Sequence, residues 1–225
     1  MNDITLKQYS ILVEFLGKSL GPEYEVALHD IGYDSNSIVA IANGFVSGRT
    51  LGSPMTNLGL EIISDNSYQN SNYKLNYNGV SKDNRILRSS TMFIKDENKE
   101  LVGMLCINFD DKNYVEISKQ ILKLCHPDEL IVQNSTYESV NALLDDEIEI
   151  FSSSIAEVTE TILNKVLADN KIPKDRLTQK ERLNIIDILN RKGTFMLKGA
   201  VSEVAKQLCC SEPSIYRYLN KLNKD

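Results

Sequence analysis

Several polar side chains interrupt the apolar segments in the first half of this chain, and their chemistry suits the binding of a small polar molecule. Arg49 lies in NGFVSGRTLGSP, a loop with several small turn-forming residues, where a guanidinium can hold a carboxylate through two parallel hydrogen bonds. Asn108 alternates with apolar neighbours, and a buried Asn needs hydrogen-bond partners from the protein or from a ligand. The candidate ligand-binding residues are His29, Asp30, Asn43, Arg49, Thr91, Cys106 and Asn108.

Each candidate also has a structural explanation. His29 and Asp30 are compatible with a hydrogen bond at a strand end, Asn43 with a tight turn before a glycine, and Arg49 with a salt bridge across a dimer. A catalytic alternative would use Cys106 as the nucleophile, His29 as the base and Asp30 as the orienting group. No local motif supports this alternative, so we expect a protein that is not an enzyme.

The elements that would position these side chains follow from the apolar spacing. A helix is expected from Ile4 to Leu16, ended by Gly21-Pro22, and a helix through Ile117–Leu124 follows the strands. The apolar runs IVAIA and MLCIN predict central strands, and alternation places Cys106 and Asn108 on one face. The pattern predicts an α+β domain with an antiparallel sheet, comprising strands 24–30, 37–42, 85–95 and 101–109, a short helix 56–63 and an irregular segment 64–80.

A second apolar stripe predicts a long connecting helix from Val140 to Leu167. Its apolar residues recur at spacings of three and four over close to three heptads, and Pro173 marks a hinge after it. This face is equally compatible with packing on its own domain and with a dimer seam. The stripe consists of Leu144, Ile148, Phe151, Ile155, Val158 and Ile162.

The C-terminal segment has the pattern of a helix-turn-helix. Thr178-Gln-Lys-Glu181 has the form of a capping box at the start of one helix, and Gly193 suits its end. In VSEVAKQLCCSEPSIYRYL, the small Ala205 suits a close helix crossing, and Ser211 suits the N-cap of the next helix. The exposed polar residues of that last helix, which we expect to contact DNA, are Ser211, Ser214, Tyr216, Arg217 and Lys221.

The charge distribution agrees with this prediction. From Lys174 onward the chain carries 11 basic and 6 acidic side chains, whereas the whole chain has a net charge of −6. Local positive charge is what DNA phosphates attract, so we expect double-stranded DNA as a partner. The predicted modules are a sensor domain 1–125, a helical linker 126–173 and a DNA-binding domain 174–225.

The composition of the chain argues against several classes of protein. No apolar run is long enough for a membrane span and no signal peptide is evident, so we expect a cytoplasmic protein without a membrane partner. The four cysteines include the adjacent pair Cys209-Cys210 and form no C-x-x-C, so neither a disulfide framework nor a metal site is indicated. The residues identify no cofactor.

The chain resembles bacterial transcriptional regulators that combine an N-terminal YheO-like PAS domain with a C-terminal helix-turn-helix of the D-arginine-utilisation repressor type. Two departures from the family pattern are Cys209-Cys210 and Phe45. The segments that carry the resemblance are LHD at 28–30, IANGFVSGR at 41–49, GSPMT at 52–56, LRSSTMFI at 87–94, GMLCINFD at 103–110 and AVSEVAKQLCCSEPSIYRYL at 200–219.

This resemblance implies a PAS-like sheet that binds a small-molecule effector or a partner, and a helix-turn-helix that responds by changing its affinity for an operator. Two-fold operators suit dimeric helix-turn-helix proteins, so we also expect a homodimer or a higher homo-oligomer, with either the apolar stripe or the sheet as its seam. The main alternative is an adaptor that uses the sheet and the helical bundle for protein contacts without binding DNA.

Overall fold

The computed structural model describes residues 1–32, 37–125, 149–169 and 177–222, and these residues form an α+β structure as the sequence predicts. Short 3₁₀ turns lie at Ser67–Asn70 and Thr194–Met196. The strands are β1 Tyr24–Asp30, β2 Ser37–Ala42, β3 Tyr73–Val80, β4 Ile86–Lys95, β5 Leu101–Phe109 and β6 Glu149–Ile150. The helices are α1 Asp3–Leu20, α2 Asn57–Ser64, α3 Lys112–Cys125, α4 Ile155–Asp169, α5 Gln179–Arg191, α6 Ala200–Gln207 and α7 Glu212–Leu222.

The strands of the described chain form one sheet in the order β2-β1-β5-β4-β3-β6. Neighbouring strands are antiparallel except β3 and β6, which are parallel. MLCIN lies in β5, which has a strand on each side as predicted. The expectation of a central position for IVAIA is wrong, because these residues lie in β2, which is an edge strand. A loop covers that edge: Ile38 N–H donates to Ser53 O at 3.0 Å, and Gly52 N–H donates to Ile38 O at 2.8 Å. This cover allows an edge strand to be apolar throughout.

The two faces of the sheet differ in chemistry. On one face α1 packs its apolar residues, including the buried Val13, against Val26 and Leu28 of β1 and Leu105 of β5. Side chains alternate along each strand, so the intervening residues of β1 and β5 point to the opposite face. That second face carries polar side chains and is covered by residues 43–56 and by α2.

The segment 64–80, expected to be irregular, contains a strand. Tyr73–Val80 pairs with β4 along most of its length, although the register shifts between Lys74 and Tyr77. This strand contains Asn, Tyr and Lys. Its first four residues, 73–76, can be polar because they are exposed or half-buried. Pairing with β4, rather than any apolar alternation of its own, makes this segment a strand.

The long helix expected from Val140 begins later than predicted. Residues 140–148 of that stripe lie outside the described part of the chain, Glu149–Ile150 is a strand parallel to β3, and α4 starts only at Ile155. Phe151 is buried at 3% exposure in a small cluster with Val46 and Leu87 of the sheet domain. The apolar residues that recur at spacings of three and four therefore belong to two different elements. Phe151 lies in the extended segment before α4, although its spacing from the apolar residues of α4 is the spacing expected within one helix.

Helices α4 to α7 pack as a bundle. Val158 and Ile162 of α4 are almost fully buried in the same apolar core as Ile185 of α5, Val204 of α6 and Ile215 of α7. Of the two alternatives for this stripe, packing within the chain is therefore the one observed. This core also includes Met55 and the apolar side of α2, so the bundle and the sheet domain share one continuous apolar interior.

The two predicted ends of α5 are confirmed. Thr178 accepts from Glu181 N–H, and the Glu181 carboxylate accepts from Thr178 N–H, which completes the capping box of α5. Gly193 follows α5 with φ 72°, a left-handed conformation that costs little without a Cβ. No helix in the described ranges is long and apolar enough to cross a membrane.

Candidate functional site

The polar face of the sheet holds a group of buried side chains from five strands and from the loop that covers them. Register places Asn108 opposite both Glu25 and Ser89, and Cys106 opposite Thr91. The predicted common face of Cys106 and Asn108 is therefore observed. We call this group the polar cluster; it comprises Glu25, His29, Arg49, Thr56, Tyr77, Ser89, Thr91, Cys106, Asn108 and Glu149, each less than 9% exposed.

Arg49 and His29 contact each other within the polar cluster. Arg49 Nη2 lies 3.1 Å from His29 Nε2 and donates to the carbonyl of Pro54 at 2.9 Å. The guanidinium carbon also lies 5.6 Å from the centre of the Phe151 ring. Burial, together with the charge of Arg49, holds the pKa of His29 well below its usual value, so the imidazole is neutral.

Glu25 accepts three hydrogen bonds in another part of the polar cluster. Its carboxylate accepts from the Ser47 hydroxyl at 2.5 Å, the Ser47 N–H at 3.2 Å and the Asn108 amide at 2.8 Å. Burial raises the pKa of Glu25, while these hydrogen bonds and the charge of Arg49 act in the opposite direction. The carboxylate thereby ties β1 to β5 and to the covering loop.

Thr91 links a chain of hydroxyl and thiol groups. The Tyr77 hydroxyl lies 2.7 Å from Thr91 Oγ1, which donates to Cys106 Sγ at 3.2 Å. Burial raises the pKa of the Cys106 thiol to about 12, so the thiol stays protonated and is a poor nucleophile. The hydrogen-bond partner of the thiol is Thr91 and not His29, which argues against the catalytic alternative.

Glu149 connects the polar cluster to both α2 and α4. Its Oε1 accepts from the hydroxyl of Thr56, and Thr56 Oγ1 in turn caps α2 by accepting from Gly59 N–H. Burial raises the pKa of Glu149, and the Thr56 hydrogen bond acts in the opposite direction. Because Glu149 begins the segment that leads into α4, this carboxyl joins the polar cluster to the helical bundle.

Two predicted ligand residues lie outside the polar cluster. Asp30 is half-buried and accepts from the amino group of Met1 at 2.6 Å. Asn43 has φ 56°, and its amide nitrogen lies 2.8 Å from Tyr24 O and 3.1 Å from Gly17 O. Asn43 thus joins the end of α1 to β1 from a left-handed turn, which agrees with the turn that was its structural alternative.

Half of the polar cluster was not predicted from the sequence. Glu25 carried a usable signal, since it lies two and four residues from Ala27 and His29 and therefore shares their face. Tyr77 and Ser89 gave none, because their segments contain many polar residues. Glu149 gave none either, because its burial depends on a parallel pairing with Gly79 that joins residues far apart in the chain.

The second site is the helix-turn-helix formed by α6, a turn and α7. Cys209 in the turn has φ 50°, the left-handed conformation that explains why a Gly is usual at this position. Ser211 occupies the N-cap position of α7, and its hydroxyl lies 2.9 Å from that of Ser214. The inward residues predicted for this motif, Val204, Ala205, Leu208 and Ile215, are all buried, whereas Leu219 is half-buried and Tyr218 is buried beside it.

The outer face of α7 presents polar and basic groups. Ser211, Tyr216, Arg217 and Lys221 are exposed and Ser214 is half-buried. Pro213, Tyr216, Arg217, Asn220 and Lys221 line a shallow surface groove along the helix. The guanidinium of Arg217 lies 5.9 Å from the ring centre of Tyr218, which holds it beside this groove.

Comparison with known proteins covers both sites. Residues 1–126 match the YheO-like PAS domain family, and residues 158–220 match a helix-turn-helix domain family. The chain is 28% identical over 221 residues to the protein YheO of Escherichia coli strain K12, covering 96% of this chain and 84% of that protein. It is 25% identical over 224 residues to the transcriptional regulator DauR of Pseudomonas aeruginosa, covering 99% of this chain and 96% of DauR. The chain therefore belongs to the family with a YheO-like PAS domain and a C-terminal helix-turn-helix, and is a DNA-binding transcriptional regulator.

Proposed function

We propose that the PAS domain of this regulator binds a small-molecule effector in the polar cluster and thereby changes the affinity of the helix-turn-helix for an operator. The observation that carries the proposal is the set of buried polar groups on the inner face of the sheet, several of which have no hydrogen-bond partner among the described residues. Buried polar groups in folded proteins are normally paired, so unpaired ones indicate a missing partner.

Contacts within the chain supply a route between the two sites. Phe151 touches the guanidinium of Arg49 and lies four residues before α4, which shares its core with the DNA-binding helices. A second connection is the ion pair between Lys192, at the end of α5, and Glu61 of α2 at 2.5 Å. An effector that binds one arrangement of these contacts better than another would shift the position of the bundle and its affinity for DNA.

For the DNA interface we propose that α7 enters the major groove and that Ser211, Ser214, Tyr216, Arg217 and Lys221 contact phosphates and base edges. Their exposure on one side of a helix, with basic side chains along a groove, fits this role. Glu212 in the first turn of α7 disfavours nearby phosphates, and a cytosine amino group is the base group that it would accept from.

The direct test is a gel-shift titration with the DNA upstream of the protein's own gene at several salt concentrations. We expect binding that weakens with salt, and Arg217→Ala should weaken it and lower the slope of log K against log salt by about 0.9 if that arginine contacts one phosphate. Arg88→Ala, an exposed arginine of the sheet, is the matched control and should bind as the wild type does. Absence of salt-sensitive binding to any genomic fragment would favour the adaptor alternative, in which charge reversal at Arg217 leaves cellular output unchanged.

We further propose that the protein is a homodimer joined through α3. Tyr114, Ile117, Ile121 and Leu124 recur at spacings of three and four on this helix, and each is more than half exposed. Such a stripe suits the a and d positions of a helix pair. In light scattering, Ile117→Asp should convert a dimer into a monomer, whereas the control Lys119→Asp should not; a dimer that survives Ile117→Asp would place the seam elsewhere.

A further inference from the structure

Arg49 has more hydrogen-bond donors than its surroundings use. The side chain is 2% exposed, and both hydrogens of Nη2 are occupied by His29 and by the carbonyl of Pro54. A guanidinium has five N–H donors, so three remain, on Nε and on Nη1. Both of these nitrogens are buried without a hydrogen-bond partner in the described part of the chain.

His29 supplies a fourth unused donor, on the side of its ring that faces away from Arg49. A guanidinium only donates, so the contact with Arg49 requires that His29 Nε2 accepts. The neutral imidazole must then carry its hydrogen on Nδ1, and Nδ1 is also buried without a partner. The histidine is therefore fixed in a single tautomer, which leaves a buried N–H group at Nδ1 without an acceptor among the described residues.

The charge of Arg49 also lacks a direct counter-ion. No carboxylate of the described residues forms an ion pair with it, although Glu25 and Glu149 are close enough to influence it. Their oxygens are engaged in part by other groups, those of Glu25 by Ser47 and Asn108 and Oε1 of Glu149 by Thr56. A buried cation of this kind is costly unless an anion reaches it.

We propose that Arg49 binds the carboxylate of a small organic acid within the polar cluster, and that the Nδ1–H of His29 donates to a second polar group of the same molecule. This inference rests on the proposed function, since it names the chemical class of the effector. A carboxylate oxygen takes charge-assisted hydrogen bonds from guanidinium N–H groups. A phosphate fits less well, because its higher charge would face the two buried carboxyl groups of Glu25 and Glu149.

Other residues of the polar cluster indicate which further groups the bound acid would carry. Asn108 Oδ1 is a buried acceptor without a partner, and the Ser89 hydroxyl is also unpaired. The two residues face each other in the register of β4 and β5, on the face that carries Glu25. A ligand that bears a hydroxyl or amino group besides its carboxylate would satisfy these acceptors, so substituted acids should bind more tightly than acetate.

The experiment measures thermal unfolding and calorimetric binding of the full-length chain with acetate, lactate, succinate and glycine. Each acid is compared with its amide, which lacks the carboxylate charge: acetamide, lactamide, succinamide and glycinamide. We expect at least one acid, and not its amide, to raise the melting temperature of the wild type and of the control Arg88→Gln. Arg49→Gln should remove the shift, and circular dichroism will establish that this variant is folded.

His29→Gln keeps the test decisive if Arg49→Gln fails to fold. The Gln amide oxygen can replace Nε2 as the acceptor for Arg49, while the donor at Nδ1 is lost. Loss of one hydrogen bond corresponds to about two- to tenfold in affinity, so His29→Gln should raise the dissociation constant by a factor in that range.

Three results would overturn the carboxylate site: no acid stabilises the wild type, an acid and its amide act equally, or His29→Gln and Arg49→Gln leave the affinity unchanged. Gel shifts on the same samples separate this inference from the proposed function. Binding of an acid without a change in DNA affinity keeps the site and contradicts the sensor role. Normal DNA binding without any bound acid contradicts the site and keeps the regulator.

Discussion

A substitution at Gly79 tests how the sheet domain holds the segment that leads into α4. A Cβ at this position of β3 would lie 2.5 Å from Phe151 Cε2 and 2.7 Å from Ser89 Oγ. Without this contact, Gly→Ala in a strand would stabilise the protein by about 0.4–1 kcal/mol through the unfolded state. With it, Phe151 must move, and overpacking of this kind costs about 1–3 kcal/mol.

We therefore expect Gly79→Ala to lower the free energy of unfolding, and with it the melting temperature by about 2–4 °C per kcal/mol for a chain of this length. Urea unfolding followed by circular dichroism measures the effect, with Asn78→Ala, an exposed neighbour on β3, as the control. In the double variant with Phe151→Leu, the smaller side chain should recover part of the loss as a favourable coupling of about 0.5 kcal/mol or more. A stabilised Gly79→Ala, or effects that simply add, would refute this packing.

Three other predictions concern the bundle and the polar cluster. Leu163→Ala removes a fully buried side chain from the shared core and should cost about 2–5 kcal/mol in urea unfolding, whereas an effect below about 1 kcal/mol would contradict that burial. Because the folded state keeps the pKa of His29 low, the unfolded state binds a proton that the folded state does not, so stability should fall as the pH drops below about 6.5. Between pH 7 and 5.5 the wild type should lose up to about 1.4 kcal/mol relative to His29→Gln, and parallel pH profiles would argue against a buried neutral histidine. With iodoacetamide at pH 8, mass spectrometry should find exposed Cys209 labelled and Cys106 protected until denaturant is added, and rapid labelling of Cys106 would contradict its raised pKa.

Much of the fold could be predicted because its signals are local. Helix α1, strands β1 and β2 and the β4–β5 hairpin follow apolar periods of the chain itself, and the ends of α5 follow from Thr178, Glu181 and Gly193. Strand β3 and the start of α4 could not be predicted in this way. Their structure depends on pairing partners distant in the chain, and the stripe that continues through Phe151 resembles a helix in a one-dimensional pattern.

The residues of the candidate site also divide into those that local sequence signals could predict and those that they could not. Residue type and strand alternation were enough to select His29, Thr91, Cys106 and Asn108, because a polar residue within an apolar strand is conspicuous. The same rule also selected Asp30 and Asn43, since it cannot tell a polar group at a strand end from one inside the domain. Arg49 was selected as the lone arginine of a loop with several small residues.

The sequence by itself determined that this is a two-part regulator, with a sheet domain and a helix-turn-helix whose caps, small residue and basic outer face are encoded within a few turns of chain. Only the tertiary structure decided which polar groups share one interior and which of their hydrogen bonds stay unmade. It also decided that Glu149 and Phe151 connect that interior to α4. The physical reason is that burial and partner count are properties of packed, distant segments, whereas caps and periodicity are properties of neighbouring residues.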